Sequence, residues 1–394
     1  MKKTLLGTTA LVSAGLVAGP ALASDPLTVT VGGTVTAGFY AIDHDDVGGV
    51  SYNDTAVKLV ARNIDINAEG TLDNGMVAGV MATLALGDDW NTHQNNDATF
   101  RELFAYLEGG FGRFEIGGTD GAAFKMHYTS PWFVPGNGVD SPNVLNVNTF
   151  ATSTTVTIPT AGGGTTTSTA TVLGFRHSTF SLMAADANKV TYFTPRFAGF
   201  QLGLSYTPET SYNGPNPNGL SGVVVDDASI EDVVEVALNY AGSFGAVDLG
   251  IDGFYVTGDA VSPIGRLASD PEELGAGLNL GFGGFTLGGS WYQSEDLSVT
   301  SLALPSAFGM EEEVWTVGLS YATGPWTVGV AYLTDEISGA GAPSFEMETW
   351  QTGGGYNLGS GVDVGLDLQM SDVDYGPVGS FDSVSGGLVL SVSF

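Results

Sequence analysis

The chain has no cysteine, so neither a disulfide framework nor a thiolate metal site can form. Bases are scarce: 11 Lys and Arg stand against 43 Asp and Glu, a formal net charge of −32. Such a chain repels phosphates, which excludes a nucleic-acid partner and makes cations the natural counter-species. Beyond the N-terminal segment no apolar run reaches the ~20 residues that a spanning helix needs. If the protein enters a membrane it must do so as a closed barrel, which alone among sheets satisfies every backbone group in lipid. The four histidines, His44, His93, His127 and His177, fall in loops without the spacing of a metal site or a nucleophile relay, so no catalytic set is expected.

What is abundant is glycine, with 58 residues, together with 10% aromatics, a composition suited to many strands joined by tight turns. Residues 1–23 read as a secretory signal peptide: Lys2 and Lys3, an apolar stretch from Leu5 to Gly19, and Ala21-Leu22-Ala23 at the cleavage positions. The mature chain is then expected to run over 24–394, and loss of two lysines takes −32 to −34.

After that segment the hydrophobic period is two. Phe200, Leu202, Leu204 and Tyr206 alternate with Gln201, Gly203, Ser205 and Thr207, and Val234, Val236 and Leu238 alternate with Glu235, Ala237 and Asn239. The polar phase is repeatedly acidic or glycine. The segments run nine to fourteen residues, the length of a tilted membrane strand rather than of a sandwich strand. Trp291, Trp315, Trp326, Tyr332 and Tyr356 fall on the apolar phase, as interfacial girdles would.

Seven short turns, among them Leu72–Gly75, Gly109–Gly112 and Gly281–Gly284, alternate with eight longer loops. Fifteen connections imply an all-β fold: a 16-stranded antiparallel transmembrane β-barrel with both termini on the short-turn side. Residues 120–186 form by far the longest connection, a length that usually carries function. Within it TTVTIPTAGGGTTTSTATV, residues 154–172, reads as a Thr-rich hairpin, either a flap or two extra wall strands that would make eighteen.

The stretch ELFAYLEGGFGRFEIGGTDGAA, residues 102–123, together with KVTYFTPRFAGFQLGLSYTPE, residues 189–209, GTLDNGMVAG and Phe394, resembles the general porins of α-proteobacteria. The resemblance implies a homotrimeric diffusion channel in the outer membrane of a Gram-negative bacterium, embedded in lipid and lipopolysaccharide. It also implies that residues 120–186 fold into the lumen as the constriction loop, and that Phe394 is a signal read by the barrel assembly machinery.

Selectivity in such a pore rests on charges at its narrowest point. Candidate acids are Asp120, Asp140 and Asp186; candidate bases are Lys58, Arg62 and Arg101, with Lys189 more distant. Lys58 and Arg62 share a phase with Ile64 and Ile66, so both can face the lumen only if a bulge intervenes. Arg101 and Glu102 have opposite parity. Glu235, Asp248, Asp252, Asp363 and Asp367 lie on the polar phase and should line the lumen, favouring cations over anions. Acid clusters at 43–46, 88–89, 226–227 and 311–313 lack EF-hand spacing; solvated carboxylates and weak Ca2+ or Mg2+ binding are the two readings, and no cofactor is expected. The expected function is passive diffusion of ions and small hydrophilic solutes; the alternatives are a substrate-selective channel or an adhesive, structural or enzymatic barrel.

Overall fold

The computed structural model describes residues 27–45, 53–86, 98–147, 153–159, 165–171, 175–210, 229–261, 270–295, 310–339, 344–376 and 379–394. The segment expected to be a signal peptide, residues 1–23, lies outside them, as do the acid pairs at 88–89 and 226–227. The first strands are β1 (Thr28–His44), β2 (Thr55–Thr71), β3 (Val77–Leu86), β4 (Ala98–Gly109) and β5 (Gly112–Gly118). A helical turn α1 (Ala122–Lys125) follows, then β6 (Ser153–Pro159) and β7 (Thr165–Thr171). The remainder are β8 (Asn188–Phe193), β9 (Phe200–Glu209), β10 (Ser229–Phe244), β11 (Val247–Val261), β12 (Glu272–Phe282), β13 (Phe285–Glu295), β14 (Met310–Thr323), β15 (Trp326–Gly339), β16 (Phe345–Gly359), β17 (Val362–Asp374) and β18 (Ser380–Ser393).

Sixteen of these strands close into one antiparallel barrel, with β8 pairing directly with β5. The remaining pair, β6 and β7, forms a separate two-stranded sheet, so the Thr-rich insertion is a hairpin and adds nothing to the wall. The seam is β1 against β18: Thr36 pairs with Ser391, and Gly33 and Phe394 exchange two backbone hydrogen bonds of 3.0 Å. Closure leaves no unpaired edge in the wall. All seven short turns stand where the glycines predict them. Each contains at least one glycine at positive φ, among them Gly75 at 81°, Gly245 at 64° and Gly324 at 55°, a conformation that costs other residues more.

Side-chain alternation sorts the wall into two faces. On β10, Val234, Val236 and Leu238 point outward with 43%, 38% and 50% of their surface exposed, whereas Glu235 and Ala237 point inward at 3% and 1%. The outer face is greasy because lipid is its solvent. Its aromatics pair across strands at two levels: Phe285 with Tyr321 and Trp326 with Tyr356 near the short turns, Trp291 with Trp315 and Tyr332 with Trp350 six residues away. That interval is roughly 20 Å along a strand.

Two bulges settle the parity questions. Between Thr36 and Ala37 of β1 the register on β2 skips Val60, so Lys58 pairs with inward Gly38 while Arg62 pairs with outward Val35. One extra residue therefore puts the two bases on opposite faces, and Arg62 departs from its expected place at the constriction. On β4 the register skips Arg101, which lets Arg101 and Glu102 both turn inward despite their opposite parity.

Candidate functional site

The connection between β5 and β8 enters the lumen, where its described parts bond to inward side chains around most of the wall. It leaves β5 at a neck. There Lys189 of β8, buried at 3%, spreads its ammonium over the carbonyls of Thr119, Ala184, Ala185 and Ala187. One cation thus ties the loop's beginning to its end. Beside it the Arg101 guanidinium reaches Asp186 at 3.0 Å and Asp120 at 3.4 Å, and Glu102 accepts from the Thr119 hydroxyl at 2.7 Å.

The outgoing limb begins with α1, whose first N–H groups need acceptors beyond the helix. Ala122 N donates to Ser205 Oγ at 2.8 Å and Ala123 N to Glu235 Oε2 at 2.9 Å. Asp252 then takes His127 Nδ1 at 2.9 Å and the Tyr128 N–H at 2.7 Å. Farther on, Asn137 donates to Asp367 at 2.8 Å, and Asp367 also accepts from Tyr40, Gln351 and Gln369. Asn146 Nδ2 donates to Ser385 at 2.9 Å, and Lys58 Nζ donates to Asn146 Oδ1 and, at 3.4 Å, to the Leu145 carbonyl.

Between these anchors the limb lies in a groove made of glycines, one on the inner face of nearly every strand it crosses. A Cβ on Gly203 of β9 would strike Met126; on Gly250 of β11, the Tyr128 ring at 2.8 Å; on Gly277 of β12, the Tyr128 carbonyl. The series continues with Gly288 of β13 under the Thr129 carbonyl at 2.7 Å, Gly318 of β14 under Pro131 at 3.1 Å and Gly329 of β15 under Phe133. It ends with Gly355 of β16 and Gly365 of β17, both under Pro135. The missing side chains are the space that the loop occupies.

The return limb, from residue 175, is held by charge. The Arg176 guanidinium lies 3.7 Å over the Tyr292 ring and 3.2 Å from Glu273, while the Arg176 and His177 amides donate to Glu312 at 3.0 Å and Asp335 at 2.7 Å. Burial pushes the His177 imidazole down to about 3, so it stays neutral at ordinary pH. Burial and neighbouring Asp186 push the Asp120 carboxyl up to about 7, against the pull of Arg101.

Several expected roles change. Asp140 is fully buried and accepts from Thr179 N at 2.8 Å and from the Thr129 and Thr179 hydroxyls; it knots the two limbs together and has no aqueous face. Glu235, Asp252 and Asp367 do point inward, but the loop covers them at 3%, 7% and 0% exposure, so they anchor it instead of lining open water. Asp248 and Asp363 lie near the short turns, accepting from Ser243 at 2.6 Å and Asn357 at 2.8 Å. Arg101, Asp120 and Asp186 do come together at the neck, with Arg101 paired directly to the two acids rather than facing them across a gap, while Lys58 stands apart from them on Asn146. Sequence reasoning missed the glycine groove and the Arg176 cluster; the recurrent glycine on the polar phase was the available signal for the first. Phe394 lies on the outer face, its ring against Gly33 and 48% exposed.

The profile of the Gram-negative porins matches residues 7–376. Among solved structures, an anion-selective porin from Comamonas acidovorans superposes with a TM-score of 0.60 at 18% identity, covering 93% of this chain and 100% of the other. OmpT, an outer-membrane protein of Vibrio cholerae, in its trimer form superposes with a TM-score of 0.58 at 13% identity, covering 94% and 100%. An uncharacterized protein of Rickettsia bellii is 26% identical over 166 residues, 39% of this chain and 34% of its own length, so the match spans about a third of that relative.

Proposed function

Because the chain belongs to the Gram-negative porin family, we propose that this outer-membrane channel prefers cations and passes small hydrophilic solutes beside a constriction set by residues 120–186. The observation that carries this reading is the loop itself, pinned through the lumen from the neck at Lys189 to Asp367 on the far wall. A gate would need an element free to move, and this one is seated against eight glycine-bearing strands. The constriction is therefore a standing feature.

The fold does not decide the sign of selectivity, since the same architecture serves an anion-selective porin from another organism. Here the chain carries −32, and the carboxylates of Glu102, Asp120 and Asp186 crowd the neck around one guanidinium, so the field favours cations. Screening over a Debye length of ~8 Å keeps the preference moderate.

The working form in this reading is a trimer that meets through β1 to β4. Outward positions of β2 and β3 hold no aromatic among the described residues, unlike the girdled strands β13 to β16. Arg62 adds a charge to that face and takes part in none of the ion pairs among the described residues. A base facing lipid at mid-bilayer costs about 2–4 kcal/mol, which a neighbouring subunit would relieve.

Purified protein, expected by intact mass to begin at Ser24, should insert into a planar bilayer and give conductance in triplets. Under a KCl gradient the reversal potential should carry the cation-selective sign. Silence in the bilayer, or the opposite sign, would overturn the reading.

A further inference from the structure

One recess at the short-turn end of the lumen carries a formal charge opposite in sign to that of the whole chain. Of the eight Lys and Arg among the described residues, three, Arg113, Lys125 and Arg196, line one recess of about 650 Å³. That size suits a small solute. Its acids are Glu108 and Glu115, and the formal sum of three bases and two acids is +1 in a chain of −32. His127 on the rim spends both ring nitrogens on Asp252 and Thr179, and Gln201 and Asn239 bring neutral amides.

The bases are held in place yet not saturated. Arg113 lies 3.9 Å over the ring of buried Tyr106, and Lys125 lies 4.6 Å over the ring of buried Phe104, so both heads are fixed before any ligand arrives. A guanidinium offers five N–H donors. Arg113 uses one on Glu115 at 2.8 Å and one on Glu108 at 3.2 Å. Arg196 folds back from its turn to donate to the Gly199 carbonyl at 2.7 Å and to Gln201 at 2.8 Å. Lys125 gives one proton to Glu115 at 2.6 Å. Each base keeps donors with no protein acceptor among the described residues, and all three residues line the one recess.

We propose that this recess is a binding site for a small soluble oxyanion, a carboxylate or phosphate group, reached from the periplasmic mouth. The short turns Gly109–Gly112 and Pro195–Gly199 frame it, and short turns of such barrels face the periplasm. A lipid headgroup is the wrong source, because the recess opens inside the wall and not on its greasy face. Charge-assisted N–H···O bonds from two arginines and a lysine would hold the oxyanion where the acidic channel otherwise repels it. The site gives the passage a sidedness that its overall charge does not.

The test uses inorganic phosphate and a double variant, Lys125→Gln with Arg196→Gln, which leaves the ion pair of Arg113 intact. In detergent, the 31P line of phosphate should broaden with the native protein and not with the variant, a readout independent of conduction. In the bilayer, phosphate added on the short-turn side should interrupt the current at about tenfold lower concentration than from the other side, and the variant should lose that difference. Migration of the variant as a heat-modifiable folded barrel excludes misfolding. Equal broadening by both proteins, no broadening by the native one, or block with no preferred side would each overturn the proposal.

Discussion

The two limbs of the lumen loop lie side by side in one barrel and are held by different physics. The outgoing limb fits by shape: it rests on glycines of eight strands and is fastened by amides and an imidazole on wall carboxylates. The return limb fits by charge: Arg176 sits among Glu273, Glu312 and Asp335. The glycine seats themselves are indifferent to salt and pH until something is added to the groove. A charge lock is strong when complete and fails when one partner leaves. Asp140, accepting from Thr129 of one limb and Thr179 of the other, couples the two.

Breaking the charge lock should have the largest effect. Arg176→Met keeps the bulk of the side chain and leaves three carboxylates facing one another without their cation. Removing one partner of such a buried pair costs about 3–5 kcal/mol. Thermal unfolding in detergent should show a marked loss at neutral pH that shrinks as the medium is acidified and the carboxylates take up protons. A variant as stable as the native protein at neutral pH would mean that the return limb is held by something else.

Breaking the shape lock comes next. Gly277→Val would place a Cβ on the Tyr128 carbonyl oxygen and lift the outgoing limb from the wall, at an overpacking cost of about 1–3 kcal/mol. Single-channel conductance should change with it, because the proposed reading makes this limb the constriction. Gly253→Val, on the outer phase of the neighbouring strand with nothing nearer than 3.6 Å, should change neither conductance nor stability. Equal behaviour of the two variants would remove the groove from the account.

Much of this architecture was legible in the chain. Period-two alternation placed the wall strands, and glycine placed all seven turns, because both signals are local. The bulges at Val60 and Arg101 were not legible: an extra residue leaves no mark of its own, yet it decides that Lys58 faces in and Arg62 faces out. The loop anchors were hidden for another reason. Asn137 meets Asp367 across 230 positions, and Glu235 meets Ala123 across 112, so a lumen acid and a loop clasp look the same in sequence. Glycine on the polar phase read as a small residue beside water, although it marks where the loop lies.

The smallest effect separates the neck, where the two limbs meet, from both locks. Asp120 shares Arg101 with nearby Asp186, and burial with the neighbouring acid holds its carboxyl up to about 7. Below that pH it is protonated and Arg101 is left to Asp186; above it the neck gains a negative charge. Cation preference should therefore rise as pH increases through neutrality, while conductance changes little because neither lock is involved. The size of the step is limited by counter-ions, so it should be clearest at low ionic strength, where the Debye length reaches about 30 Å. Asp120→Asn fixes the neutral form and should flatten the selectivity profile across this range. A native protein whose reversal potential does not move between acidic and alkaline sides, or an Asp120→Asn variant that keeps the step, would place the titrating group elsewhere than in the neck.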